Sequence, residues 1–183
     1  IRNPTSPIWN SDGSYNEGQL LQYWNPVSLQ KEQSGENKTQ SVKFTGNITF
    51  EPIKGWQTNL MLSRDQAINR GGYYYTSNHS MNGINQKGTY SGVATQSSYT
   101  DESNYLELTS KYMANWAKKH RFEGLVGYSY SDETYDDASM TNRNFPDDYF
   151  QYFNMSAGTH LTDGKANMAS SKVSSKLIGF FGR

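Results

Sequence analysis

Ten consecutive residues, Ser41 to Phe50, alternate without a break between apolar and polar side chains. Val42, Phe44, Gly46, Ile48 and Phe50 fall on one parity, and Ser41, Lys43, Thr45, Asn47 and Thr49 on the other. A β-strand turns successive side chains to opposite faces, so this segment reads as a strand with one greasy and one wet face. A slip of one residue would exchange the two faces, so the pattern also specifies the strand's register. Glu51-Pro-Ile-Lys-Gly55 follows, and a Pro and a Gly so close together end the strand in a turn.

Weaker copies of the pattern recur along the chain. After the turn, Trp56, Thr58, Leu60 and Leu62 share one face, and Gln57, Asn59, Met61 and Ser63 the other. A second hairpin is expected around the basic turn Ala117-Lys-Lys119. Leu106, Leu108, Tyr112, Ala114 and Trp116 precede it on one parity; Phe122, Gly124, Val126, Tyr128 and Tyr130 follow it. A fifth strand opens near Ser175. The spacing thus predicts strands at about 41–50, 56–66, 104–116, 120–130 and 175–183. Long irregular loops are expected at about 1–36, 68–103 and 131–174, with turn signals at Asn3-Pro4, Asp12-Gly13 and Asn25-Pro26.

Short and long connections therefore alternate. That layout predicts an all-β antiparallel up-and-down meander of about five strands, a section of a large transmembrane β-barrel with long extracellular loops. Roughly 9–11 tilted residues suffice for a strand to cross the apolar band. Trp56 and Trp116 beside the short turns, and Tyr73 to Tyr75, Tyr128 and Tyr130 at the opposite ends, are expected to form the two aromatic girdles. Alternating hairpins also build soluble sandwiches, which stay open at this point.

Composition permits both. Only 34% of residues are hydrophobic, too few for a large dry core, yet 14% are aromatic, too many for a disordered chain. With 17 basic and 17 acidic residues there is no basic field, and no nucleic-acid partner is expected. The absence of Cys excludes disulfides and thiol chemistry. No apolar run reaches the roughly 18 residues that a transmembrane helix needs. The N-terminus, with Pro4 and Pro7, does not read as a signal peptide. Lys176-Leu-Ile-Gly-Phe-Phe-Gly-Arg183 ends inside a strand pattern, so the chain is expected to be cut from something longer.

Several stretches, in order, resemble the SusC/RagA family of TonB-dependent outer-membrane transporters. They are Arg2-Asn-Pro4, Asp12-Gly-Ser14, Asn25-Pro26, Gly46-Asn-Ile-Thr-Phe-Glu-Pro52, Leu125-Val-Gly-Tyr-Ser-Tyr130, Asn144-Phe-Pro146 and Ser175 to Arg183. The resemblance covers essentially the whole of 1–183 and implies an internal piece of a partial barrel domain, with the plug domain and the rest of the barrel missing. It further implies a bacterial outer-membrane location and contact with outer-membrane lipid. The implied partners are a SusD-like lipoprotein over the barrel mouth and TonB acting through the missing plug. The implied function is nutrient uptake, the import of glycans or peptides. Five strands cannot close a barrel, and open edges are not tolerated in lipid.

On the barrel reading, Lys43, Asn47, Gln57, Asn59, Glu107, Lys111, Arg121 and Glu123 line the lumen, where they contact plug or substrate or simply solvate the interior. Tyr149, Phe150, Tyr152 and Phe153 lie on an external loop. There they either meet a ligand or lid partner or pack the loop against itself. The acidic run Asp132, Glu133, Asp136 and Asp137 is expected in a loop; it lacks EF-hand spacing and reads as solvated rather than as a calcium site. His79, His120 and His160 are scattered, so no metal is assigned, and no other cofactor is expected. Nothing marks out a carboxylate pair, and the chain is expected not to be an enzyme. The competing readings are a soluble extracellular glycan-binding β-module and a soluble β-rich glycoside hydrolase. The discriminating feature is where Val42, Phe44, Ile48, Phe122 and Val126 point: into lipid, or into a core.

Overall fold

A computed structural model describes residues 5–17, 24–80, 82, 89–116 and 120–183, with Trp116 described by its backbone alone. Five strands form one antiparallel sheet in the order β1-β2-β3-β4-β5: Gln33–Ile53, Trp56–Thr76, Gly92–Trp116, His120–Arg143 and Asn167–Gly182. Every neighbour in the sheet is the neighbour in sequence, which is an up-and-down meander, as the alternation predicts. Among the described residues β1 and β5 do not pair, so the sheet is an open section of wall.

The strands are longer than expected, at 21, 21, 25, 24 and 16 residues. The hydrophobic alternation marks only part of each one. Gly71-Gly-Tyr-Tyr-Tyr75 lies on β2 rather than in a loop. The acidic run lies on β4, where Asp132 and Asp136 take one face and Glu133 and Asp137 the other. Lys172 pairs with Asp136 at 3.4 Å, and Ser171 donates to Asp137. A strand sends neighbouring acids to opposite sides, so these four carboxylates do not converge on one cation. The connections shrink accordingly, to 77–91 between β2 and β3 and 144–166 between β4 and β5.

The short turn after β1 rests on Gly55, whose φ of +86° is costly for any residue with a Cβ. The turn is fastened by the Gly55 N–H to Glu51 Oε1 at 3.1 Å and by the Met113 N–H to the Gly55 carbonyl at 2.7 Å. The other short turn, 117–119, lies outside the described residues, as does the Trp116 side chain assigned to the girdle beside it.

The chain divides into two compact units. The wall unit comprises Thr39–Asn69, Tyr99–Asp137 and Ser170–Arg183. One of its faces carries Val42, Phe44, Ile48 and Phe50 on β1, Trp56 and Leu62 on β2, Leu108 and Tyr112 on β3, Phe122 and Val126 on β4, and Ile178 and Phe180 on β5. All of them are exposed, Phe44 at 69% and Val126 at 64%. Trp56 donates its indole N–H to Ser110 Oγ at 2.8 Å, which satisfies two polar groups set among these apolar ones.

The loop unit comprises Ile1–Lys38, Arg70–Ser98 and Ala138–Ala169. Its buried apolar centre is small: Tyr74, Ala94 and Phe145, with Tyr152, Met155 and Ala157 packed against it. Tyr74 and Phe145 meet edge to face at 5.5 Å. This overturns the girdle role for Tyr74, which is only 1% exposed and sits under the loop that follows β4. Asn25-Pro26 is not a bare turn. It starts the short helix α1, Pro26–Lys31, with Asn25 Oδ1 accepting from the Val27 N–H at 3.1 Å and Pro at the first helical position.

Candidate functional site

The wall unit's second face is built from the opposite parity. Lys43 pairs with Asp65 at 3.2 Å, Thr45 with Ser63 at 3.0 Å, and Thr49 donates to Asn59 at 3.0 Å, so these residues of β1 and β2 share a side. Tyr105 donates to Glu107 at 2.6 Å on β3, and Lys111 meets Glu123 across β3 and β4 at 2.8 Å. By strand alternation Asn47, Gln57 and Arg121 fall on the same face. All eight polar residues singled out from the sequence therefore lie together, opposite the exposed apolar face.

Charge on this face is unevenly spread. Glu123 receives three cations: Lys111 at 2.8 Å, Arg121 at 3.4 Å and Arg183 at 3.8 Å. Among the described residues none of the three has a second carboxylate within 4.0 Å. Sequence reasoning selected Lys111, Arg121 and Glu123 but missed Arg183. Nothing local marks Arg183; only the pairing of β5 with β4, which joins Arg183 and Leu125 through two backbone hydrogen bonds of 2.9 Å, brings it there.

The aromatic cluster of 149–153 belongs to the loop unit, where it splits into two roles. Tyr152 packs over Gly72, which leaves no room for a Cβ there: Tyr152 Cγ would stand 2.9 Å away. Its carbonyl accepts from Gln96 Nε2 at 2.5 Å. Gln151 has a left-handed φ of 48° and its side chain accepts from Ser34 Oγ at 2.8 Å. A left-handed non-glycine residue is strained and persists where its surroundings hold it. Asp148 accepts from the Tyr74 hydroxyl at 2.7 Å, and burial with this carboxylate beside it pushes the Tyr74 phenol well above its usual range. On this fixed frame Tyr149 and Phe153 stand out, 85% and 75% exposed, with Phe150 stacked edge-on to Tyr149 at 5.7 Å. Self-packing thus accounts for Tyr152 and leaves Tyr149 and Phe153 presented to solvent.

A polar knot ties α1 to the segment after β2. Glu17 accepts from the Asn25 N–H at 2.7 Å and from Ser80 Oγ at 2.9 Å. Glu32 accepts from Tyr15 at 2.9 Å and from Thr76 at 2.5 Å. His79 is buried and stacks on Tyr75 at 4.2 Å. Burial lowers the His79 pKa, against the raising influence of the Leu29 carbonyl and of Glu32 and Glu17. Among the described residues no group of His, Asp and Glu is arranged to hold a metal ion.

No family model matches the chain, and no curated protein matches it. Solved structures do match its fold. The RagAB peptide transporter superposes with a TM-score of 0.75, and the RagAB peptide importer with 0.74 in its closed-closed state and 0.71 in its open-open state. Each match is 16% identical and covers 96% of this chain but 19% of the other. The chain thus has the fold of a stretch of a RagAB chain and spans about a fifth of that chain's length.

Proposed function

We propose that this chain is a section of the barrel wall, with external loops, of an outer-membrane transporter of the TonB-dependent SusC/RagA kind. On this reading it takes part in the import of peptides or glycans. The observation that carries the reading is the face formed by Phe44, Ile48, Phe122, Val126 and Phe180. Five strands contribute to it, it is exposed, and the Trp56 indole and Ser110 hydroxyl set among its apolar residues satisfy each other. Water penalises such a face, whereas lipid solvates it. The likeness to the RagAB transporter supports the same reading.

On this reading the opposite face, with Lys43, Asn47, Gln57, Asn59, Glu107, Lys111, Arg121 and Glu123, lines the lumen. Tyr149 and Phe153 present rings to a passing ligand or to a SusD-like lipoprotein lid, with Phe150 and Tyr152 as their support. Energy comes from TonB through a plug domain that is not in this stretch. No step of the reading is enzymatic.

The test uses the transporter that contains this stretch, reconstituted in lipid vesicles. Single cysteines replacing Phe44 or Val126 are labelled with a fluorophore, and a second set replaces Thr45 or Glu123. A doxyl-lipid quencher should dim the first set and spare the second. Equal, weak quenching of both sets would sink the reading in favour of a soluble β-module.

A further inference from the structure

Resting on the transporter reading, we infer that Arg143, held over the Tyr90 ring beside His160, is a binding site for the carboxylate of an external ligand. Three separate stretches of the loop unit meet there. Tyr90 lies two residues before β3, Arg143 ends β4, and His160 sits on the short helix α2, Thr159–Thr162. Arg143 Cζ is 5.2 Å from the centre of the Tyr90 ring, and the His160 ring stands 5.3 Å from the same ring, nearly perpendicular at 85°. The residues on either side of Arg143 are fixed. Asn142, only 2% exposed, donates to the Met155 and Gly158 carbonyls at 2.7 and 2.8 Å. Asn144 donates its N–H to the Gly92 carbonyl at 3.0 Å and accepts from the Thr159 N–H at 3.1 Å.

The groups left unmatched here point to a ligand. Arg143 is half-buried, yet apart from the Tyr90 ring no ion pair or side-chain hydrogen bond joins its guanidinium to the described residues. The two acids that follow it most closely are engaged elsewhere: Asp147 accepts from the Tyr149 N–H at 2.9 Å, and Asp148 from the Tyr74 hydroxyl at 2.7 Å. A cation–π contact holds a guanidinium in place but supplies no oxygen to its N–H donors. His160 Nδ1 is also buried with no hydrogen-bond partner among the described residues, a rare condition that calls for an explanation. Two unmatched polar groups therefore stand on one aromatic ring. A single free cation suits a monoanion, and the guanidinium fork matches the two oxygens of a carboxylate. Partial burial makes such a contact worth more than a surface ion pair, because less water screens it. The free carboxylates of peptides and those of uronic-acid glycans share this chemistry.

The test uses the full transporter in detergent. It is offered a peptic digest of casein, the same digest with its carboxyl groups amidated, and a mixture of oligogalacturonates, and mass spectrometry counts what is retained. The unaltered protein should retain the free-acid digest at least about tenfold better than the amidated one, and Arg143→Gln should lose that preference, as expected for a hydrogen bond to a charged group. Arg143→Lys keeps the charge without the fork and should fall between; it replaces Arg143→Gln if that variant does not migrate as a compact species on an unheated denaturing gel. Oligogalacturonates retained in place of peptides, with the same dependence on Arg143, would uphold the site and assign the carboxylate to a glycan. Retention indifferent to amidation or to Arg143, or absent for both mixtures, would overturn the inference. The lipid-quenching experiment keeps the two readings apart: that failure with the quenching contrast intact removes this inference alone, and loss of the contrast removes the transporter reading.

Discussion

The indole N–H of Trp56 reaches across from β2 to the hydroxyl of Ser110 on β3, at 2.8 Å, on the exposed apolar face. Each residue explains the other. Ser110 interrupts the apolar parity of β3, and its hydroxyl accepts the Trp56 indole N–H. Thr58 completes the group, its hydroxyl 3.4 Å from the same Ser110 oxygen. Ser110→Ala removes the acceptor and should cost about 1–2 kcal/mol, the usual penalty for orphaning a donor away from water. Ser110→Thr keeps the hydroxyl and should cost less. Urea unfolding of the vesicle-bound transporter, read by tryptophan fluorescence, separates the two variants; equal midpoints would remove the hydrogen bond from the energetics.

Gly72 and Tyr152 make a second, steric pairing. A Cβ at Gly72 would collide with the Tyr152 ring and approach the Thr95 carbonyl to 3.1 Å. Gly72→Ala should therefore lift the segment around Tyr152 from the strands and make it a site of rapid protease cutting. Tyr152→Ala should also loosen it, at about 2 kcal/mol for a partly buried aromatic. The double variant should cost less than the two single costs together, because the truncated side chain leaves space for the new methyl. Strictly additive losses would show that the two residues do not compete for one space.

How much of this was legible in the sequence follows from which force shaped each part. The wall's faces are set by alternation, so the parities read along β1, β2, β3 and β4 pointed both to the sheet and to the eight polar residues opposite its apolar face. The loop unit is set by hydrogen bonds and a few tight contacts, which have no period. Tyr74 looks like an exposed girdle tyrosine until Phe145, seventy-one residues later in the chain, comes to rest against it. The strand ends beyond the apolar band are built from Gly, Asn, Ser and Asp, so composition alone made them look like loops. One signal was present and missed: Asn25-Pro26, a capping residue followed by Pro, is a helix start.

Because Tyr149 and Phe153 are exposed, their loss should not cost stability. Tyr149→Ala and Phe153→Ala should leave the unfolding midpoint within about 0.5 kcal/mol of the parent, as surface changes do. Each should weaken capture of ligand or lid lipoprotein, with losses of up to about tenfold or more if either ring is a hot spot. Pull-down of the lipoprotein by the tagged transporter reads the lid arm, and uptake of labelled peptide reads the ligand arm. Unchanged behaviour in both would leave these rings without a role in either contact.

His79 makes the loop unit sensitive to acid. Burial favours its neutral form, so its folded pKa lies below the ordinary 6.5, with the Leu29 carbonyl, Glu32 and Glu17 opposing in part. The unfolded chain then takes up a proton more readily than the folded one. The stabilising contribution is complete above 6.5 and is lost as the pH falls below it, through the folded value. Protease cutting within 77–91 should thus accelerate between about pH 7.5 and about pH 5, the range in which histidine titrates. His79→Phe keeps a ring to stack on Tyr75 and should flatten the profile. An unchanged acid step in that variant would show that His79 is not its source.

The sharpest contrast lies between neighbours on β1 and β4. Phe44 and Val126 belong to the exposed apolar face, whereas Thr45 belongs to the face where Lys43 and Asp65 pair. In a lipid-facing wall, Phe44→Lys or Val126→Arg should destabilise the vesicle-bound protein by about 2–4 kcal/mol near the bilayer midplane. Thr45→Lys, one residue away, should cost less than about 1 kcal/mol, because a wet face solvates the new charge. The order matters more than the size, since one step along a strand exchanges lipid for water. If Phe44→Lys and Thr45→Lys had equal effects, the two faces would look onto the same solvent, and the exposed apolar band would need an aqueous explanation.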